Sequence, residues 1–382
     1  MKIGIITIHN SPNYGACLQS FALWKYLTNL GNDVEIINLY RPHQPEYVPS
    51  KRYTQCRLAR KNLVHRIISR LKKRIIPSKP QKYLGDVAQA RFDAFNHQIK
   101  LSRPYYSIED LYDNPPLYDV YISGSDQLWN PTQAYCLEPY FLTFVPQGKV
   151  RMSYASSIGI TELTMNEKRR FGEWLSKYDA ISVRERQAKE LIETLITNKV
   201  DQVADPTFLL DRAYWKSIAV TPERKESFIL LFTLSYDKPL LDYTRSLSKQ
   251  SGLKVVYLTA IQPEEHEDDY ESVTDAGPKE WLGLIGNAEM VITNSFHGTV
   301  FSLIMGTKNF FTYIAPTNKR GIRITELLET YNMSDHLLTV DLSETYNQIA
   351  GIVINHQKVD EVMENEKSKS RRFLSSNLTT VI

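Results

Sequence analysis

A single histidine, His297, stands where an apolar strand is followed by a helix. The apolar and β-branched residues 290–292 predict the strand, and the apolar residues of 300–304 predict the helix, which Gly306 ends. Ser295 is placed to cap this helix, so that His297 and the unpaired backbone N–H groups of the first turn face one spot. Because the positive end of the helix dipole also faces it, that spot should attract an anion.

Three further turns carry polar residues directly after predicted strands. They are Asn13-Tyr14-Gly15-Ala16, Gly124-Ser125-Asp126-Gln127 and Ser182-Val183-Arg184-Glu185. Since ligands bind at the carboxyl ends of strands in open α/β sheets, we expect these turns to share a cleft with His297. Each residue alone has a structural explanation, such as helix capping or local ion pairing. Their joint placement favours a site that combines backbone donors, a carboxylate, a guanidinium and an imidazole.

The elements that must position these turns alternate between strands and helices. A β-α-β unit with a right-handed crossover is predicted at residues 2–8, 16–30 and 34–39. Later strands of the same series are predicted at 120–123, 152–155, 180–183 and 202–204. A second series is predicted at 228–233, 254–258, 290–293 and 309–313. The proline-containing segment 205–211 is predicted to link two doubly wound α/β domains, which suits a chain of 382 residues.

Residues 41–103 interrupt this alternation and carry sixteen Lys and Arg against three acidic residues, although the chain has a net charge of only +3. Apolar residues at helical spacing in 63–76 predict a basic amphipathic helix. Such a helix can lie on an anionic membrane surface at the cytoplasmic face, or it can pack on the first domain with its charges in water. No recognised motif supports a nucleic-acid partner.

Several classes of protein are disfavoured by what the sequence lacks. The N-terminal strand does not resemble a secretory signal, and no window offers about 18 apolar residues for a membrane span. Three scattered cysteines fit neither a disulfide framework nor zinc, so we expect a cytoplasmic protein. Phosphate-loop, dinucleotide-binding and serine-hydrolase motifs are absent, and the histidine spacing offers no metal pair. A transfer on an anionic substrate, without metal or cofactor, is the remaining expectation.

These motifs, in this order, resemble those of the polysaccharide pyruvyl transferase family. Further segments that carry the resemblance are 122–131, 153–157, Asp205-Pro206-Thr207 and Ser295-Phe296-His297-Gly298. The resemblance extends from the first strand to Arg323 and is weaker in residues 41–103 and after residue 340. It implies two Rossmann-like domains arranged as in GT-B glycosyltransferases, at residues 1–205 and 206–355. A polar helix predicted at 358–374, within the remaining segment 356–382, could cross back to the first domain.

The resemblance also implies an activity and a set of site residues. Phosphoenolpyruvate would be the donor substrate on the side of the second domain. Pyruvate would be placed as a cyclic ketal on a sugar of a cell-surface polysaccharide, or of its lipid-linked precursor, held by the first domain. By similarity, His297 and Arg184 bind or activate the donor, and Asp126 is our candidate to orient or deprotonate an acceptor hydroxyl. The remaining candidates for substrate contact are Asn13, Tyr14, Gly15, Ser125, Ser295, Phe296, Gly298, Lys319, Arg320 and Arg323.

One departure from the family pattern leaves the donor-binding cation open. Some relatives carry Arg-Leu-His where this chain has Ser295-Phe296-His297, so an arginine beside the histidine is missing. Arg184, Lys319, Arg320 or Arg323 must then supply the positive charge. Two rival readings remain: a nucleotide-sugar glycosyltransferase, for which Glu326 could hold a ribose, and a non-catalytic glycan-binding protein of a polysaccharide assembly complex.

Overall fold

The computed structural model describes residues 1–42, 44–50, 85–133, 135–234, 236–259, 270–318 and 320–379. Within these ranges the chain forms a first set of strands: β1 (Lys2–Ile6), β2 (Asp33–Leu39), β3 (Leu101–Tyr105), β4 (Val120–Ser123), β5 (Val150–Ser153), β6 (Ile181–Val183) and β7 (Val200–Gln202). A second set follows: β8 (Phe228–Thr233), β9 (Lys254–Thr259), β10 (Glu271–Ser272), β11 (Met290–Thr293) and β12 (Phe310–Thr312).

Helices connect these strands and cover both faces of the sheets. The helices of the first half are α1 (Tyr14–Asn29), α2 (Asp86–Asn96), α3 (Ile108–Asp113), α4 (Met165–Leu175) and α5 (Arg186–Glu193). Those of the second half are α6 (Arg212–Ile218), α7 (Lys238–Ser251), α8 (Pro278–Asn287), α9 (Phe296–Met305), α10 (Ile322–Thr330), α11 (Tyr346–Ala350) and α12 (His356–Thr379). Because helices lie on both faces, strands such as β8 are buried at every position.

Both large sheets are parallel and doubly wound. The first has the strand order β3-β2-β1-β4-β5, and backbone hydrogen bonds from Ser153 to Ala180 and from Ser156 to Ser182 place β6 beside β5. The second sheet has the order β10-β9-β8-β11-β12. In each sheet the order reverses beside the first strand, which creates a crevice at the carboxyl ends of the strands. The prediction of two Rossmann-like α/β units is confirmed, with the change of sheet falling between β7 and β8.

The sequence placed most elements correctly, with shifts at several ends. Helix α1 begins at Tyr14, two residues earlier than predicted, because the Asn13 side chain accepts a hydrogen bond from the Ala16 amide and caps the helix there. Strands β5 and β7 each begin and end two residues earlier than predicted, and Ala155, which was placed in β5, has a φ of 50° that a strand does not allow.

The segment 41–103 was predicted to interrupt the alternation of strands and helices, but its last part does not. Helix α2 lies there, and β3, which begins at Leu101, pairs in parallel with β2 as the edge strand of the first sheet. The alternation of strands and helices therefore continues through this end of the segment. The predicted basic helix at 63–76 lies outside the described residues.

Aromatic packing joins the two halves of the molecule. The Tyr14 ring stacks on Trp281 of α8, with ring centroids 5.2 Å apart, and its hydroxyl donates to the Ala276 carbonyl at 2.8 Å. Helix α12 contacts both halves as well: Ser370 accepts a hydrogen bond from the Ala204 amide at 2.9 Å. No helix in the described part of the chain is long and apolar enough to span a membrane.

Candidate functional site

His297 lies at the N-terminus of α9, at the carboxyl edge of the second sheet. Ser295 caps the helix by accepting a hydrogen bond from the Gly298 amide at 3.3 Å, as the sequence predicted. Gly298 is needed for packing, because a Cβ at this position would lie 2.5 Å from the Thr293 hydroxyl oxygen. The Ser295 side chain and the close packing of Gly298 thus fix the start of the helix, and His297 faces Gly15 of the first half of the molecule.

Gly15, in the first turn of α1, lies directly against the His297 imidazole. A Cβ at position 15 would lie 2.0 Å from His297 Nδ1 and 2.3 Å from Cγ, distances that real side chains do not show. The glycine therefore makes room for the histidine of the opposite half. The polar turn that precedes α1 and the turn that precedes α9 meet, as the parallel-sheet argument predicted.

A buried chain of charges continues from His297 into the first half. His297 Nε2 lies 3.5 Å from Asp205 Oδ2, and the same oxygen accepts a hydrogen bond from Arg184 Nη1 at 2.7 Å. Arg184 Nε donates to Glu185 Oε1 at 3.0 Å. Relative exposures are 8% for His297, 7% for Arg184 and 2% for Asp205, so these charges interact with little solvent screening.

Asp205 is the centre of this cluster and was missed by the sequence analysis, which assigned the segment 205–211 to a linker. Its second carboxylate oxygen accepts hydrogen bonds from the Thr207 amide at 3.0 Å and the Thr207 hydroxyl at 2.8 Å. Burial alone would raise the pKa of Asp205, but His297, Arg184 and the Thr207 amide together hold it well below its usual value. Asp205 is therefore a fixed negative charge beside the imidazole.

Two carboxylates neutralise Arg184. Burial opposes its charge, yet Glu185, Asp205 and Asp126 keep its pKa above the ordinary value. Its third nitrogen, Nη2, is buried without a hydrogen-bond partner among the described residues. If Arg184 binds the donor, it can do so through one guanidinium nitrogen at most, because the other two are already hydrogen bonded.

Arg323 has a different environment. The Phe296 ring lies within cation–π distance of both arginines, 4.4 Å from Arg184 Cζ and 5.3 Å from Arg323 Cζ. Burial and the nearby Arg184 charge lower the pKa of Arg323 to about 10, although Glu185 and Asp126 oppose them. The nearest polar partner is a neutral one: with its amide oxygen turned to the guanidinium, Gln127 accepts from Arg323 Nη2 at 2.7 Å. Arg323 is therefore a cation whose charge is poorly compensated.

An open cleft of about 820 Å³ lies between the two halves of the chain and is lined by Arg320. Its walls come from both halves of the chain, with Thr132, Gln133 and Ile160 on one side and the loops after β8, β11 and β12 on the other. Arg320, which is exposed, lines the cleft, and its charge contributes to the lowered pKa of Arg323, so the two arginines are close enough to interact. Lys319, the remaining predicted cation, lies outside the described residues.

Asp126 and Ser125 come from the loop after β4. The Asp126 carboxylate accepts a hydrogen bond from the Gln127 amide at 2.8 Å, is partly exposed, and is close enough to raise the pKa of Arg184 and Arg323. Ser125 is completely buried and donates its hydroxyl to the Ala155 carbonyl at 2.8 Å, so its side chain is engaged within the loop.

Tyr14 and Asn13 have structural roles in the described geometry. The Tyr14 side chain is 2% exposed and its hydroxyl is engaged by Ala276, so the predicted substrate contact is replaced by packing between the two halves. The Asn13 side chain caps α1. Both residues act on the site through Gly15, whose position beside His297 depends on where this helix begins.

Glu326, the candidate ribose ligand of the rival reading, is already engaged. Its two carboxylate oxygens accept hydrogen bonds from the backbone amides of Arg186 and Gln187, at 2.8 and 3.2 Å. A cavity of about 50 Å³ beside it, also lined by Arg184 and Arg323, has room for only a few water molecules. Among the described residues, no group of three His, Cys, Asp or Glu side chains could hold a metal ion.

Comparison with solved structures extends the fold assignment. The chain is similar to a UDP-N-acetylglucosamine 2-epimerase from Rickettsia bellii, with 10% identity, a TM-score of 0.55 and coverage of 100% of this chain and 97% of the other. It is also similar to UGT89C1 of Arabidopsis thaliana, solved as a complex with UDP, with 9% identity, a TM-score of 0.51 and coverage of 100% and 99%. These likenesses show the two-domain GT-B-like fold.

Comparison with curated proteins gives no significant match. The sequence model of one family, described as polysaccharide pyruvyl transferase, matches residues 13–314. This range contains α1, the loop after β4, the Arg184–Asp205 pair and the His297 helix, whereas Arg320 and Arg323 lie beyond its end. The chain therefore belongs to the polysaccharide pyruvyl transferase family.

Proposed function

We propose that this protein transfers pyruvate from phosphoenolpyruvate to a sugar of a cell-surface polysaccharide, or of its lipid-linked precursor, as a cyclic ketal. The observation that carries the proposal is the buried Asp205–His297 pair beside the poorly compensated Arg323. Phosphoenolpyruvate has a phosphate and a carboxylate, and a planar guanidinium can bind two oxygens of either group. We assign the donor-binding charge chiefly to Arg323, with Arg320 at the cleft and Arg184 Nη2 in support.

The proposed chemistry begins with a proton transfer from His297. The proton goes to the enol carbon of phosphoenolpyruvate, which leaves an oxocarbenium-like centre at the carbon that bears the phosphate oxygen. Asp205 faces Nε2 and stabilises the charged imidazole, so Nδ1, the nitrogen beside Gly15, is the one that exchanges its proton with the substrate. A hydroxyl of the acceptor attacks the cationic carbon and loses its proton. The bond between this carbon and the phosphate oxygen then breaks, and inorganic phosphate leaves with one of the released protons. A second hydroxyl of the same sugar attacks the resulting cationic carbon and closes the ketal ring, and the remaining proton restores His297.

The acceptor would enter through the cleft that ends at Arg320. Both domains line it, so a saccharide bound there could present its hydroxyls to the donor held at the domain interface. Asp126 is the proposed group that orients or deprotonates an acceptor hydroxyl, because its carboxylate is partly exposed and lies near both arginines. A lipid-linked acceptor would give the predicted basic helix at 63–76 a role at the membrane surface.

A thermal shift series tests the donor. The purified protein is heated with phosphoenolpyruvate, and separately with UDP-, GDP- and CMP-sugars. A ligand at about 100 times its dissociation constant stabilises a protein by roughly 2.7 kcal/mol, which is readily measured. We expect a shift with phosphoenolpyruvate that Arg323→Ala makes smaller but does not abolish, because Arg320 and Arg184 Nη2 still supply positive charge. A shift with a nucleotide sugar alone would identify a glycosyltransferase instead, and no shift with any donor would favour a non-catalytic glycan-binding protein.

Replacement of His297 tests the mechanism. We expect His297→Ala to lower turnover by roughly 100-fold or more, the scale of losing a general acid. The measurement is phosphate release from phosphoenolpyruvate with a panel of sugar acceptors. Replacement of the other buried histidine of the second half, as His336→Ala, is the control, because His336 hydrogen bonds the Phe310 carbonyl away from the charged cluster. Near wild-type turnover in His297→Ala would remove this residue from the mechanism.

A further inference from the structure

Glu326 connects the two domains beside the charged site. It lies on α10 and is 8% exposed, and its carboxylate accepts hydrogen bonds from the first two backbone amides of α5, those of Arg186 and Gln187. Glu185, the residue at the N-cap position of α5, makes no capping hydrogen bond with its own side chain. The carboxylate of Glu326, from the other domain, thus caps α5 in place of a side chain of the helix itself. Its negative charge also lies at the positive end of the helix dipole.

The two segments joined by this contact are the ones that carry the arginines of the site. Arg323 lies one turn before Glu326 on α10, and Arg184 lies two residues before α5. Both guanidinium groups approach Phe296, and Arg184 is close enough to lower the pKa of Arg323. Arg184 is paired with Glu185 and Asp205, yet its charge still lowers the pKa of Arg323, so an attractive contact between the two segments helps to hold these groups together when no anion is bound.

We propose that Glu326 is a positioning residue that caps α5 from the opposite domain and thereby holds Arg323 facing Arg184 as one anion-binding pair. The identity of the anion as phosphoenolpyruvate rests on the proposed function, whereas the pairing itself does not. Glu326 acts through the backbone of α5 and the rigidity of α10. It does not contact the substrate.

Anion binding by Glu326 variants tests this proposal. Affinities for phosphoenolpyruvate and for inorganic phosphate are measured by calorimetric titration in the wild type, Glu326→Ala and Glu326→Gln. We expect about tenfold weaker binding of both anions in Glu326→Ala, the scale of losing a helix cap, and a smaller loss in Glu326→Gln, which keeps an acceptor oxygen. Glu329→Gln is the matched control, because Glu329 lies on the same helix and only pairs with the exposed Arg186 side chain at 3.3 Å.

The double variant with Glu326→Ala and Arg323→Ala distinguishes a positioning role of Glu326 from a general structural role. If Glu326 acts by placing Arg323, then Glu326→Ala should add almost nothing to the loss already caused by Arg323→Ala. Additive losses, or unchanged anion affinity in both Glu326 variants, would overturn the proposal. Wild-type protein that binds phosphate but transfers no pyruvate would contradict the proposed function and leave the role of Glu326 intact. Wild-type protein that binds neither anion would overturn both.

Discussion

Replacement of Gly15 by alanine should cost this protein far more activity than stability. The new Cβ would lie 2.0 Å from His297 Nδ1, 2.3 Å from Cγ and 2.8 Å from Cβ. Rotation of the imidazole cannot relieve all three contacts, since one of them involves the first side-chain carbon. The histidine must therefore retreat by about 1 Å, a displacement that can lower a reaction rate by about 100-fold.

The stability cost of the same substitution should be modest. Overpacking of a buried position costs about 1–3 kcal/mol, and the better helix propensity of alanine in α1 recovers part of it. We therefore expect the free energy of unfolding to fall by no more than about 2 kcal/mol, with the variant still folded at 25 °C.

The assay is phosphate release from phosphoenolpyruvate with sugar acceptors, combined with urea unfolding. Gly351→Ala is the control, because this glycine is exposed and a Cβ there meets only its own helix backbone at 3.3 Å. A Gly15→Ala protein that turns over like the wild type would refute the argument that His297 must occupy the space left by Gly15. An equal loss of turnover in Gly351→Ala would show that the assay reports a general loss of stability and not a displacement of His297.

Two further predictions concern buried ionisable groups. Asp205→Asn should destabilise the protein by about 3 kcal/mol in urea unfolding and lower turnover, because it leaves Arg184 and His297 without their shared carboxylate. Glu173→Gln, at an exposed carboxylate of α4 that pairs with the exposed Arg169, should do neither. Burial and the Arg41 charge lower the pKa of His9 to about 4, so the folded protein resists its protonation. Stability should then be constant above pH 6.5 and fall by about 3 kcal/mol as the pH drops to 4. Urea unfolding of His9→Gln between pH 7.5 and 4 should lack this decrease, and an unchanged slope would exclude His9 as its source.

Short-range sequence patterns were sufficient to predict the strands and helices that position the site residues. The cap formed by Ser295, the end of α9 at Gly306 and the strands before each polar turn follow from patterns within a few residues. The parallel-sheet argument then brought the turns after β1 and β11 to one place, which the contact between Gly15 and His297 bears out. Caps and periodicity are short-range effects, and they can be read without knowing the fold.

Contacts between the domains could not be predicted in this way. Asp205 precedes a proline and was assigned to a linker, because aspartate and proline are typical of turns whether or not the carboxylate has a second role. Tyr14 was expected at the substrate because it stands in a polar turn, and only the position of Trp281 shows that it packs. Likewise, nothing near Glu326 in the sequence indicates that α5 supplies its partners.

The distribution of charge explains why a highly anionic ligand suits this site better than a neutral sugar. Glu185 and Asp205 pair with Arg184, and Asp205 also faces His297, so the negative charges nearest to Arg184 are already engaged. Arg323 adds a positive charge that Glu185 and Asp126 oppose in part, and Arg320 adds another at the cleft. Burying a cation without a partner is costly, and a bound phosphate or carboxylate would remove that cost. The same residues come from both domains, so the anion would stabilise the interface on which its own binding site depends.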